Sequence, residues 1–570
     1  MGTLDWVVIG IFFLALIGII VWVVKQKQND SADYFLGGRD ATWLAIGASI
    51  FASNIGSEHL IGLAGAGASS GMAMAHWEIQ GWMILILGWV FVPFYSRSMV
   101  YTMPEFLERR YNPQSRTILS VISLISYVLT KVAVTVYAGG LVFQQVFGIK
   151  ELWGIDFFWI AAIGLVVLTA LYTIFGGMKS VLYTSVLQTP ILLLGSLIIL
   201  VLGFKELGGW DEMMSICSAV TVNEYGDTMT QLIRDNNDPN FPWLGALVGS
   251  AIIGFWYWCT DQFIVQRVLS GKNEKEARRG TIFGAYLKLL PVFLFLIPGM
   301  IAFALHQKYI GAGGEGFLPL LANGTANADA AFPTLVAKLL PAGVKGLVVC
   351  GILAALMSSL ASLFNSSAML FTIDFYKRFK PETPEKKLVG IGQIATVVIV
   401  ILGILWIPIM RSVGDVLYTY LQDVQSVLAP GIAAAFLLGI CWKRTSAKGG
   451  MWGLIAGMII GLTRLGAKVY YSNTAITDSS MFKYLFYDLN WLFFCGWMFL
   501  FCIIVVIAVS LMTEAPSAEK IQGLVFGTST PEQKAATRAS WNHWDIIHTV
   551  IILAITAAFY LSLIHISEPT

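Results

Sequence analysis

The sequence predicts an all-α integral membrane protein of about 14 transmembrane helices, on three observations. Charged residues make up 12% of the chain and apolar ones 57%, with 35 Phe and 19 Trp. A soluble domain is about a quarter charged and roughly 45–50% apolar. The apolar excess is gathered into long uncharged runs, and about 20 such residues span a bilayer. The positive charges then fall on alternate connections between the runs, the pattern that orients a membrane protein.

Fourteen runs are read in order: 5–24, 42–65, 72–96, 117–145, 155–176, 180–203, 242–266, 281–305, 340–373, 387–409, 412–440, 448–468, 484–511 and 543–563. The first lacks a basic leader and a small-residue cleavage site, so it reads as a retained span rather than a signal peptide. If it enters from outside, the cytoplasmic connections are 25–41, 97–116, 177–180, 267–280, 374–387, 441–448 and 512–542. They hold 24 of the 36 Lys and Arg, the outer side holds 10, and Lys131 and Lys288 lie within spans. Both termini are therefore expected outside, in a plasma membrane and, given the short connections, a bacterial inner membrane.

Charge and cysteine usage narrow the function further. A net charge of +2 with no basic tract argues against a nucleic-acid partner. Of six cysteines only Cys217 falls in a long polar loop, so no disulfide framework or zinc spacing is visible. No connection is long enough to hold a catalytic domain, and no GxxxxGK[ST] loop is present for nucleotide-driven pumping.

The candidate site residues are polar groups where apolar ones are expected, since charge inside a span is costly and marks a pathway or site. FASNIGSEHLIGLAGAG crowds Asn54, Gly56, Ser57, Glu58 and His59 into the second run. Such a cluster weakens the helix and frees carbonyls, tolerated where they line a cavity; the competing reading is close packing of small residues. The third run opens with His76-Trp77-Glu78, and the seventh ends with Trp256, Tyr257, Trp258, Asp261 and Gln262, where an interfacial aromatic belt is the alternative. Lys288 stands inside GAYLKLLP, with snorkelling to the cytoplasmic surface as its rival reading. ALMSSLASLFNSS carries Ser358 and Ser359, which suit either helix packing or a hard cation, and Gln422 and Asp423 fall in the eleventh run.

Amide, carboxylate and ammonium groups beside Trp and Tyr suit a neutral polyhydroxylated ligand. Its hydroxyls need donors and acceptors, and the C–H face of a sugar rests on an aromatic ring. Serine hydroxyls opposite freed carbonyls supply hard oxygen ligands for a small cation rather than a transition metal. No nucleophile–base pair or metal triad emerges, so an enzyme is not expected.

In FASNIGSEHLIGLAGAGASSG, YTMPEFLERRY, WYWCTDQFIVQRVLS, LKLLPVFLFLIPGM, ALMSSLASLFNS and QDVQSVLAPGIAAAFLLGICWKR the chain resembles the sodium/solute symporter family, in its sodium/glucose cotransporter branch. The resemblance runs from about residue 31 to 455. It implies a five-plus-five inverted-repeat, LeuT-like core with flanking helices and a midplane site. The divisions would be a flanking span and loop at 1–41, a first repeat at 42–205, an outer loop at 206–241, a second repeat at 242–440 and flanking spans at 441–570.

Residue by residue, the resemblance implies a co-transported sodium ion held by the carbonyls of Ala52, Ile55 and Ala355 and the hydroxyls of Ser358 and Ser359. It implies a sugar site of Asn54, His59, Glu78, Lys288 and Gln422, with Tyr257 and Trp258 on the cytoplasmic side and Leu63, Trp77 and Tyr418 as an outer lid. No organic cofactor is implied. Two positions depart from the family pattern: YTSVLQT places Ser185 where an Asp is common, and Ile79-Gln80-Gly81 follows Glu78. The expected function is sodium-coupled symport of a glucose- or galactose-like hexose by alternating access, one sodium per sugar. The alternatives are a myo-inositol or other polyol symporter and, in another class, a ligand-gated sensor or channel.

Overall fold

A computed structural model describes residues 1–26, 30–56, 58–321, 323–411, 417–472 and 480–567. The side chains at 129–130, 409–411, 417–423, 472 and 563–567 lie outside that description, and with them the expected Tyr418 and Gln422.

Eleven helices among the described residues are long and apolar enough to cross a membrane. Their outer faces carry exposed apolar side chains, such as Ile11, Leu14 and Ile17 on Thr3–Lys25 and Ile401 and Leu405 on Glu385–Arg411. Polar groups such as Asn54, Glu78, Lys131 and Lys288 are buried instead. That inversion of the soluble pattern is what lipid demands, because hydrocarbon offers no hydrogen bonds.

The expected 155–176 and 180–203 runs form one helical stretch, Phe157–Leu207, broken in conformation at Gly177 (φ 51°, ψ −147°). Its 51 residues would extend about 75 Å if straight, more than twice a bilayer core. The stretch folds back instead. Tyr172 donates to the Met357 carbonyl at 2.9 Å, and Ser185 Oγ lies 3.3 Å from Ser358 Oγ. Residues that a straight helix would hold about 20 Å apart therefore meet consecutive residues of one neighbour. The 42–65 and 117–145 runs are carried partly on shorter apolar helices, Trp43–Asn54 and Ala133–Phe147.

Two connections differ from expectation. The 267–280 loop is largely helix, because Gln262–Leu269 and Glu274–Lys288 leave only a short turn between them. Asn273 caps the second by accepting from Glu276 N at 2.9 Å, satisfying an otherwise orphaned donor. Two of its three arginines are not loop-surface charges either. Arg267 and Arg278 are buried, and Arg278 donates to Glu274 at 2.8 Å while lying 5.0 Å over the Trp89 ring, contacts that a planar guanidinium suits. Cys217, expected in a polar loop, is buried on helix Trp210–Ser218.

Two broken helices organise the interior. The first comprises Trp43–Asn54, an extended Ile55 (φ −79°, ψ 94°), a wide π-type turn at Glu58–Leu63 and Ala64–Ser70. The second comprises Trp243–Phe255, a wide turn at Trp256–Thr260, Asp261 in extended conformation and Gln262–Leu269. Asp261 caps the last piece, accepting from Phe263 N at 3.2 Å. The small-residue reading holds for part of the first: a Cβ on Gly67 would stand 2.3 Å from the Leu296 carbonyl, and one on Gly299 2.0 Å from that of Ala64. Past the break, then, the glycines bring two backbones together. The Asn54 end does something else.

Candidate functional site

Asn54 closes the first half of the first broken helix, and its side chain ties the two breaks together. Its Nδ2 donates to the Tyr257 hydroxyl at 3.2 Å, and its Oδ1 accepts from Lys288 Nζ at 3.3 Å. Lys288 Nζ also donates to Glu78 Oε2 at 2.5 Å, and the same oxygen lies 3.2 Å from His59 Nε2. Lys288 therefore does not snorkel: its stem comes from helix Glu274–Lys288, and its ammonium is buried against Glu78 and 5.4 Å from the Trp258 ring. A buried ion pair persists only when its partners and remaining hydrogen bonds are supplied, and four separate chain segments supply them here.

These groups surround a cavity lined by Asn54, Glu58, His59, Trp77, Glu78 and Gln80 on one side. Ile253, Gly254, Tyr257, Trp258, Lys288 and Gln425 close the other. Its volume is ≈ 40 Å³, room for about two or three waters and not for a six-membered ring with its hydroxyls. Entry of such a ring requires the lining to move apart. The walls on either side are aromatic. Trp77 stacks on Trp491 (5.5 Å, 27°) with Phe241 at its edge (6.1 Å), and Tyr257 meets Trp258 edge-on at 5.0 Å. Leu63, expected with Trp77 in the lid, is fully buried and stands outside the lining.

A second constellation lies where the first break meets helix Val344–Met369. Ser359 donates to the Ser53 carbonyl at 2.8 Å, and the Ser53 and Ser362 hydroxyls are 2.7 Å apart. A Cβ on Gly56 would stand 2.5 Å from Ser359 Oγ, so only glycine lets the break approach that closely. Ser358 lies 3.3 Å from Ser185, which also bonds Val181 O and faces Ser49 at 3.5 Å. Ala52 and Ala355 are buried in these two helices, and Ile55 is buried at the break. The expected cation ligands thus fall on two facing elements rich in hydroxyl and carbonyl oxygen, the donor set a hard cation takes.

Some residues do other work than sequence reasoning suggested. Gln262 fixes helix Met103–Arg110, accepting from Met103 N at 2.7 Å. Asp261 pairs with Lys131 at 2.6 Å and accepts from the Tyr127 hydroxyl, with both ion-pair partners almost wholly buried. The Lys131 ammonium sits 4.7 Å from the Tyr257 ring centroid and 4.8 Å from that of Phe263. This latch joins the Tyr127–Val132 turn to the second broken helix beside Tyr257. Its sequence signal was an intramembrane lysine without an evident counter-ion. Gln425 was also missed, although it lies three residues after Gln422 on the same helical face.

The family model described as the sodium:solute symporter family matches residues 34–457. Sodium/myo-inositol cotransporter 2 of Homo sapiens is 37% identical over 538 residues, covering 92% of this chain and 79% of that protein. Sodium/glucose cotransporter 1 of Ovis aries is 37% identical over 529 residues, covering 90% and 79%. A solved structure of a Na+-coupled sialic acid symporter, in a substrate-bound outward-open state, aligns over 90% of this chain and 99% of its own. With a TM-score of 0.72 and 22% identity, it shows a shared fold.

Proposed function

The chain belongs to the sodium:solute symporter family, and from that premise we propose that it carries a neutral hexose together with sodium by alternating access. The observation that carries the substrate class is the network of Glu78, Lys288, Asn54 and Tyr257 between aromatic walls. The lining sets two carboxylates against one ammonium, which disfavours an anionic solute. Amide, hydroxyl and charged groups offer hydroxyls both donors and acceptors. A cyclic polyol such as myo-inositol satisfies the same chemistry, and the 37% identity to a protein named for that solute supports it as the second reading.

The proposed sodium ligands are the hydroxyls of Ser358 and Ser359 with the carbonyls of Ala52, Ile55 and Ala355. Coupling then follows from chain adjacency. Ser53 faces Ser359 and Ser362, while the next residue, Asn54, faces Lys288 and Tyr257. An ion that draws the break onto the serine helix also sets Asn54, and the resulting free-energy coupling is reciprocal. The expected repeat boundaries, the outside termini, the plasma-membrane location and the absence of enzymatic activity belong to the same proposal.

The test is uptake of labelled hexoses and inositols into proteoliposomes, with and without a sodium gradient. Concentration of one of them against its gradient, only with sodium, is expected. Uptake that merely equilibrates would indicate a channel, and no sodium dependence would overturn the reading. In the same assay Ser359→Ala is expected to raise the half-saturating sodium concentration about tenfold, equivalent to about 1.4 kcal/mol. An unchanged sodium dependence would return the serines to helix packing. Ser185, a hydroxyl beside Ser358 rather than a carboxylate, supports one sodium per solute. One ion crossing 100 mV is worth about 2.3 kcal/mol, and a tenfold sodium gradient adds about 1.4 kcal/mol. Together they sustain a solute ratio of roughly several hundred, which two ions would square. Reversal-potential measurements distinguish the two.

A further inference from the structure

Resting on the reading above, we propose that the solute is held, in addition to the charged network, by two neutral donors beside it, the side-chain amide of Gln425 and the indole N–H of Trp77, and that Gln425 sets which hydroxyl pattern is accepted. Much of the network is turned on itself. Asn54 is bonded at both ends, and Lys288 is shared between Glu78 and Asn54. Gln80 is turned to the Ser250 carbonyl at 2.9 Å. Three lining atoms are in the opposite condition, buried with no hydrogen-bond partner: His59 Nδ1, whose ring already meets Glu78 through Nε2, and, outside the network, Gln425 Nε2 and Trp77 Nε1. Buried polar groups are nearly always paired, and an exception needs an explanation. A buried donor without an acceptor raises the free energy of the closed arrangement.

The cavity must widen to admit a ring, and these are the groups with most to gain when it does. A hydroxyl oxygen has two lone pairs and accepts from an amide or an indole N–H without bringing charge. Trp77 can do so without leaving its place, because its ring is already fixed by Trp491 and Phe241. Gln425 lies on helix Leu417–Cys441, which neither the Glu78 nor the Lys288 segment belongs to. It therefore adds a direction of recognition that the ion pair cannot reach. A site built to bond a given hydroxyl rejects analogues that lack it, since its own donor is then left unpaired.

The discriminating variant is Gln425→Leu, which keeps the volume and removes the amide. Its full-length purified form is expected to bind D-glucose or myo-inositol, whichever wild type takes up, about tenfold more weakly in sodium. Its melting temperature without solute should equal or exceed that of wild type, because no existing hydrogen bond of Nε2 is lost. Trp77→Phe, which keeps a ring and removes the N–H, should weaken binding in the same way, with some loss of melting temperature from reduced packing against Trp491 and Phe241. A series of mono-deoxy analogues supplies a second readout: one analogue that wild type rejects should bind Gln425→Leu as well as the parent solute does. The proposal is overturned if Gln425→Leu binds like wild type, if its affinity and melting temperature fall together, or if every analogue keeps its wild-type penalty. Failure of wild type to take up either solute with sodium would overturn the underlying reading, a result separate from all three.

Discussion

Replacing Lys131 by Met is expected to cost the protein about 3–5 kcal/mol, because one member of a buried ion pair is removed and the other is left uncompensated. The abandoned group is the Asp261 carboxylate, which keeps the Tyr127 hydroxyl and the Phe263 N–H but loses the ammonium at 2.6 Å. The thermal midpoint of the purified protein should fall clearly. Function should change in a particular direction as well. The pair pins the second broken helix to the Tyr127–Val132 turn beside Tyr257, so releasing it should loosen the Tyr257 side of the cavity. A cysteine placed beside the latch should then label faster with a water-soluble thiol reagent. Lys131→Met combined with Asp261→Asn should recover part of the lost stability, since neighbouring effects are not additive. A wild-type melting temperature for Lys131→Met would show that the pair contributes nothing.

The second large effect is expected at Glu78. In Glu78→Ala the ammonium of Lys288 loses its 2.5 Å partner and keeps only Asn54 at 3.3 Å. Solute affinity should fall about 100-fold or more, combining a lost charged hydrogen bond of about 1.5–3 kcal/mol with the disturbance of Lys288. Glu78→Gln should fall less, because an amide oxygen still accepts from the ammonium. The order wild type, Glu78→Gln, Glu78→Ala in equilibrium binding checks the argument. Sodium affinity measured without solute should move far less, as Ser358 and Ser359 lie on another helix. If both variants bind solute as wild type does, the network is structural and the solute site lies elsewhere.

Much of this molecule was legible before any tertiary contact was known, because hydropathy is a local property. The long apolar runs announce helices, and the Asn54-to-His59 cluster announces a break, since neither Gly56 nor Asn54 favours a helix interior. The same locality shows where sequence reasoning ends. It marked Lys131 and Asp261 as charges at membrane depth but could not join them, 130 positions apart. It placed Arg267 and Arg278 on a loop because charge resembles loop; the fold buries both, Arg278 against Glu274 and the Trp89 ring. It treated the glycines after His59 together with the polar cluster, whereas Gly67 meets the Leu296 backbone. It passed over Gln425, whose amide becomes notable only once its surroundings leave it without a partner. By itself, then, the sequence determined that these polar groups must be satisfied inside a membrane, because lipid cannot satisfy them. Which groups satisfy one another, and which are left in the cavity without a partner, was decided only by the crossing of helices distant in the chain.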